Sequence, residues 1–182
     1  MLIICVIFLL ILFVGKSVVK WCNVCIFAKM RFLGNIVAKL DAKNRVFIPA
    51  AFRKQLLQQE WQTLFLRKDV YQNCITVYTK DVWEEELHQL RMKLDRWDPD
   101  EQDLYRQFMS EAEEVNPDAS GRILISRHLL NLVGIESEVR FLGMDDMLEI
   151  WPKESLDKPR VAPDDFRLLM REKMSRKQNN NT

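Results

Sequence analysis

From Met30 onward the chain alternates between stretches with a hydrophobic period of two and stretches with a period near 3.6, which predict strands and helices in turn. Ile36, Ala38 and Leu40 alternate with Val37 and Lys39, the pattern of a strand that buries one face. Asp41-Ala42-Lys43-Asn44-Arg45 interrupts that pattern, and the short apolar run Val46-Phe47-Ile48 follows. Pro49 stands where a first helical residue can lack its amide hydrogen, and Phe52 and Leu56 then recur at helical spacing. Strands over Thr63–Arg67 and Cys74–Tyr78 complete this half.

The same order of elements returns 77 residues later. Asp118-Ala119-Ser120-Gly121-Arg122-Ile123-Leu124-Ile125-Ser126 aligns without gaps on Asp41-Ala42-Lys43-Asn44-Arg45-Val46-Phe47-Ile48-Pro49. Leu129 and Val133 answer Phe52 and Leu56, Ser126 can cap the helix that Gly134 ends, and strands are expected over Val139–Leu142 and Met147–Trp151. Each half therefore reads strand, tight turn, strand, short helix, strand, loop, strand, a repeat of structure as well as of letters.

Between the copies, Trp83, Leu87, Leu90, Leu94 and Trp97 fall on one face of a helix that begins near Asp81. Asp98-Pro99 reads as a stop and restart with Asp98 as cap, and Leu104, Phe108, Ala112 and Val115 form a second stripe. Both stripes read as core or inter-subunit packing, and the acidic runs Glu84–Glu86 and Glu111–Glu114 as solvated helix faces. A last helical pattern runs from Phe166 to Met174, and the polar stretch Ser175–Thr182 is expected to be disordered. The resulting division is an apolar extension over 1–29, a first module over 33–80, linking helices over 81–111, a second module over 112–155, and a helix with a disordered tail over 156–182.

Met1–Gly15 is almost unbroken apolar sequence with Lys16 directly after it. It is shorter than the ~20 apolar residues of a spanning helix, and it lacks the leading cations and small-residue cleavage site of a signal peptide. Three readings stand open: an anchor lengthened by Val18, Val19 and Trp21, an uncleaved targeting segment, and translated sequence upstream of the true start. The third is preferred, because Met30-Arg31 opens the part that makes sense as a soluble domain.

Charge alters the picture little. Lys16, Lys20 and Lys29 lie in a segment without acids, so of 27 Lys and Arg the remaining 24 face 26 Asp and Glu, a balance of −2. Bulk charge supplies no argument for nucleic acid, and any contact with it must come from a few positioned cations. Cys5, Cys22, Cys25 and Cys74 follow no disulfide framework, which suits a reducing compartment. Cys22 and Cys25 form a C-x-x-C with no second pair or nearby histidine to complete four ligands, so no metal is expected. His88 and His128 fall in helical patterns, where each reads as a solvated or hydrogen-bond-satisfied side chain. No Gly-rich phosphate loop, nucleophile with a histidine partner, or carboxylate pair in an apolar pocket pattern is present, so neither enzymatic activity, a cofactor nor a small-molecule substrate is expected.

The chemistry concentrates at the two turns. An aspartate opening a tight turn can accept hydrogen bonds from amides two or more residues on and so lock the loop. The residue before each arginine needs a positive φ, which Gly121 adopts freely and Asn44 tolerates better than most. An arginine leaving so rigid a turn holds its planar fork at a defined place, as recognition of guanine O6 and N7 or of phosphate requires. Taken singly, Asp41 and Arg45 could be a surface ion pair worth about 0–1 kcal/mol. The duplication at corresponding positions turns the reading toward DNA contact.

These paired D-x-x-x-R turns resemble the signatures of the MraZ family, within the wider AbrB and SpoVT group. The match runs from about Arg31 through Trp151 and includes Gly34, seven residues before Asp41. The family has glycine where Asn44 stands. The resemblance implies an α+β fold of two tandem AbrB-like swapped-hairpin β modules forming a pseudo-dimeric barrel, with helices between and after them. It further implies a cytoplasmic, nucleoid-associated transcriptional regulator of the division and cell-wall gene cluster. Such a regulator closes into a homo-oligomeric ring and binds short G-rich direct repeats in promoter double-stranded DNA. The residues expected at the DNA are Asp41, Lys43, Asn44, Arg45, Asp118, Ser120, Gly121 and Arg122, with Lys39 and Arg31 as further phosphate contacts. Linked tips that each grip weakly would explain binding by a chain without a basic excess.

Two rivals remain. A membrane-tethered interaction protein is motivated by Met1–Gly15 and the helix stripes. A single-hairpin antitoxin of the AbrB type is countered by the two modules and the short tail.

Overall fold

The computed structural model describes residues 32–57 and 63–179. The apolar extension over 1–29, with its three cysteines, and Arg31 lie outside the described residues. No described helix is long and apolar enough to cross a membrane.

The described chain runs β1 (Asn35–Lys39), β2 (Arg45–Phe47), α1 (Ala50–Leu57), β3 (Leu64–Lys68), β4 (Ile75–Thr79), α2 (Lys80–Lys93), α3 (Pro99–Ser110), β5 (Ala112–Val115), β6 (Arg122–Leu124), α4 (Arg127–Val133), β7 (Glu138–Met144), β8 (Met147–Pro152), a 3₁₀ turn over Lys153–Leu156 and α5 (Pro163–Asn179). The expected α+β class and the order of elements within each half are present. Six strands form one sheet in the order β1-β7-β8-β4-β3-β5, and β2 and β6 form a separate two-stranded ribbon. The sheet is open, with β1 and β5 as its edges, where a closed barrel was expected.

The halves exchange strands. β1 of the first half pairs antiparallel with β7 of the second, setting Val37 opposite Arg140, while β5 of the second half pairs with β3 of the first, setting Leu66 opposite Glu113. The short helices cross over too: Phe52 of α1 packs its ring against Phe141 of β7, centroids 6.4 Å apart, and α4 packs against β3. Val46, Ile48, Phe52, Leu56, Ile123, Ile125, Leu129, Leu130, Val133 and Phe141 are all buried, so one core lies between ribbon, short helices and sheet. Neither half buries its apolar face alone, which is the physical reason for the swap.

The helix termini follow their signals. Ser126 Oγ accepts the Leu129 amide at 3.1 Å, and Gly134 ends α4 in the left-handed region at φ 73°. Asp98 Oδ1 accepts from the amides of Asp100 and Glu101 with Pro99 at the first position of α3.

Three further expectations are corrected. Ala112 and Val115 belong to β5, not to the helical stripe of Leu104 and Phe108, and Glu113 and Glu114 are strand residues. α3 ends at Ser110, and the next residues satisfy their backbone along the open side of β3. Trp97 lies beyond the end of α2 and is exposed; of its expected stripe only Trp83 is fully buried. Trp83 is sandwiched between Phe65 and Phe108, centroids 5.5 and 5.8 Å away with planes within 12°, and so ties both linking helices to the sheet. The polar stretch from Ser175 is helical through Asn179. Cys74 is a buried thiol whose pKa burial pushes up to about 12, and it is inert for that reason.

Candidate nucleic-acid interface

Each D-x-x-x-R segment closes on itself. Asp41 Oδ1 accepts the amides of Lys43 and Arg45 at 2.8 and 2.9 Å, and the Asn44 amide donates to the Asp41 carbonyl at 3.0 Å. Asp118 Oδ1 likewise accepts the amides of Ser120 and Arg122 at 2.9 and 3.0 Å, and the Gly121 amide donates to the Asp118 carbonyl at 2.8 Å. Asn44 sits at φ 60° and Gly121 at φ 81°, the left-handed conformation expected of both.

The arginine side chains are held from the same aspartates. Arg45 Nε donates to Asp41 Oδ2 at 2.8 Å with Nη2 at 2.7 Å, and Arg122 Nε donates to Asp118 Oδ2 at 2.7 Å. The surface ion pair is therefore real, and it also fixes each fork in place. A guanidinium carries five donors, so terminal N–H groups remain beyond those the aspartate takes. Arg45 and Arg122 keep 33% and 25% of their side-chain surface open to solvent.

The amide hydrogen bonds explain the charge state. Arg45 donating its amide to Asp41, then the Arg45 side chain and the Lys43 amide, hold the Asp41 carboxyl at about 2, against a desolvation effect that raises it. Asp118 is lowered in the same way, first by the Arg122 amide. Both are anions throughout the neutral range.

Tertiary structure sets the two turns side by side. β2 and β6 pair antiparallel with Arg45 opposite Leu124, Val46 opposite Ile123 and Phe47 opposite Arg122. Beyond that register the Ile48 amide donates to the Gly121 carbonyl at 3.1 Å and the Ile125 amide to the Asn44 carbonyl at 3.0 Å, a reciprocal pair that locks each turn to the other strand. Asp41 Oδ2 consequently has Arg122 Nη1 at 3.9 Å as well as its own arginine. All eight residues expected at the DNA lie in these two adjacent turns, with Lys43 and Ser120 exposed at their tips. Lys39 instead stands opposite Glu138 across β1 and β7, where its charge, after that of Lys153, lowers the Glu138 pKa.

The structure adds residues that turn chemistry alone did not single out. Arg53 of α1 donates through Nη1 to the Ser120 carbonyl at 3.0 Å, a contact across 67 residues for which no local signal exists. Phe47 and Leu124 are exposed on the ribbon. The phase of the apolar runs carried that signal, since inward Val46 and Ile48, or Ile123 and Ile125, leave the residue between them outward.

The sequence profile described as "MraZ protein, putative antitoxin-like" matches residues 32–107 and 108–158. The chain is similar to a protein of Phocaeicola vulgatus named Transcriptional regulator MraZ, 51% identical over 137 residues, which cover 75% of this chain and 89% of that one. It is similar to a protein of the same name from Bacteroides thetaiotaomicron, 47% identical over 146 residues, 80% of this chain and 94% of the other. A third so named, from Christiangramia forsetii, is 30% identical over 146 residues, again 80% and 94% of the two chains.

Proposed function

The chain belongs to the MraZ family, and from that premise we propose that it is a transcriptional regulator that grips double-stranded DNA with the two D-x-x-x-R turns. The observation that carries this reading is the convergence of Arg45 and Arg122 on Asp41 Oδ2 at the outer side of one ribbon. Two turns separated by 77 residues present their guanidinium groups together, each held by an aspartate and each partly open to solvent.

In this reading Asp41 and Asp118 order the loops and do not themselves meet DNA, since an anion beside phosphate is repelled. Arg45 and Arg122 supply the contacts to guanine edges or phosphate. The Lys43 ammonium and the Ser120 hydroxyl reach the backbone from the tips. Asn44 and Gly121 provide the backbone conformation. The modules over 33–80 and 112–155 act as one pseudo-symmetric unit. Several copies assembled in a ring would present repeated ribbons to G-rich direct repeats at the promoter of the division and cell-wall cluster, and linkage would compensate for the lack of a basic excess. A cytoplasmic, nucleoid-associated location follows from that task.

A gel shift against the DNA immediately upstream of the chain's own gene, with mass measurement of the shifted particle, tests the reading. Arg45→Ala and Arg122→Ala should each weaken binding and reduce its salt slope by about 1 for every phosphate that is no longer neutralised. Unchanged affinity of both variants across a salt titration would remove the mechanism. The membrane-tethered alternative turns on residues 1–29, which lie outside the described residues, and no described helix is long and apolar enough to cross a membrane.

A further inference from the structure

We propose that Phe47 and Leu124 read sequence, by packing against the C5-methyl groups of thymines that lie beside the bases or phosphates gripped by Arg45 and Arg122. This rests on the DNA-binding reading above and adds to it a base-discriminating contact that uses no hydrogen bond.

The two residues occupy equivalent places in the repeat, 77 apart. Val46 and Ile123 are fully buried under the ribbon, whereas Phe47 and Leu124 are 53% and 54% exposed on its outer side. The register sets Phe47 opposite Arg122 and Leu124 opposite Arg45. Directly opposed residues of an antiparallel pair share a face, so the outer face of the ribbon carries two arginines and two large apolar groups in diagonal alternation. The Arg122 guanidinium carbon stands 5.4 Å from the centroid of the Phe47 ring, which fixes both groups.

Antiparallel ribbons commonly turn polar side chains to water, so the two equivalent apolar positions beside the arginines depart from that pattern. Burying a Leu or Phe side chain is worth about 1.5–3 kcal/mol, so leaving both open in a small, otherwise well-packed ribbon points to an occupant. A protein partner fits poorly. Two side chains fall far short of the roughly 1,200–2,000 Å² that a stable interface buries, and a second copy of the ribbon would bring four guanidinium groups together. A duplex fits both halves of the pattern. The major groove admits a two-stranded ribbon, its walls are phosphate, and thymine methyls are the apolar groups on its floor. Residues two apart on a strand are about 6.6 Å apart and stacked bases about 3.4 Å, so each methyl lies within about two base-pair steps of an arginine contact.

The test uses a duplex selected by the full-length wild-type chain from a randomised library, then resynthesised with deoxyuridine for each thymidine in turn. That change removes the methyl and keeps the pairing. At one or more thymidines beside the arginine contacts, wild type should lose roughly fourfold in affinity per methyl. Phe47→Ala with Leu124→Ala should bind the thymidine and deoxyuridine duplexes equally, while retaining a cooperative thermal unfolding transition because only about half of each side chain is covered. Phe47→Leu should retain the discrimination. Equal response of wild type and the double alanine variant to every deoxyuridine would overturn the inference. If Arg45→Ala with Arg122→Ala still abolishes binding in that case, the arginine reading survives without it. Failure of wild type to retain any duplex would overturn both.

Discussion

Arg53 donates through Nη1 to the carbonyl of Ser120, and the aliphatic part of its side chain lies over Gly121, where an added Cβ would stand 2.7 Å from Arg53 Cδ. A helix of the first half therefore braces the turn of the second. The equivalent position in the repeat is Leu130, which is buried and apolar, so α4 offers the first turn no such brace. Two turns that match in letters differ in support.

Removing the brace should affect one turn alone. Arg53→Ala is expected to speed amide exchange at Ser120 to Arg122 while Lys43 to Arg45 stay as protected as before, at a stability cost of about 1 kcal/mol. DNA affinity should fall less than for Arg122→Ala. Equal acceleration at both turns, read by NMR, would contradict the asymmetry.

The residue before each arginine should respond in opposite senses. Gly121→Ala combines a φ of 81° with the close approach to Arg53, and should destabilise by about 1–2 kcal/mol in a denaturant melt. Asn44→Gly, at φ 60°, should be neutral or slightly stabilising, whereas Asn44→Val should cost at least as much as the alanine at Gly121.

The locked turn should survive mild acid. Asp41 titrates at about 2 when folded and near 3.8 when unperturbed, so its contribution is complete above pH ~4 and is lost as the pH falls through about 2. A carboxyl-detected NMR titration should place its midpoint well below that of an exposed aspartate, and Arg45→Ala should move it upward. A midpoint near 4 in the wild type would show that the hydrogen bonds to Arg45 do not persist in solution.

The aromatic sandwich predicts a separable defect. Trp83→Ala leaves Phe65 and Phe108 without the ring between them and should cost about 3–5 kcal/mol. The loss should fall on α2 and α3, with the β2–β6 ribbon still protected from exchange. Collapse of protection at Val46 and Ile123 in step with the helices would mean that the two regions unfold as one.

The division between what was legible and what was not follows the reach of each interaction. The turns could be read from the letters because their bonds close within five residues: an aspartate oxygen, two amides, a left-handed residue and an arginine. The caps at Ser126, Gly134 and Asp98 are local in the same sense. Strand positions were read to within a residue or two because their alternation is intrinsic. Ala112 and Val115 were not, since their spacing matches a helix face, and only the open edge of β3 draws the segment into a strand. What the chain order alone could not decide is adjacency. Pairing of β2 with β6, exchange of β1 and β5 between the halves and the brace from Arg53 all depend on parts of the chain far apart in sequence. They settle together because neither half can bury its apolar residues without the other.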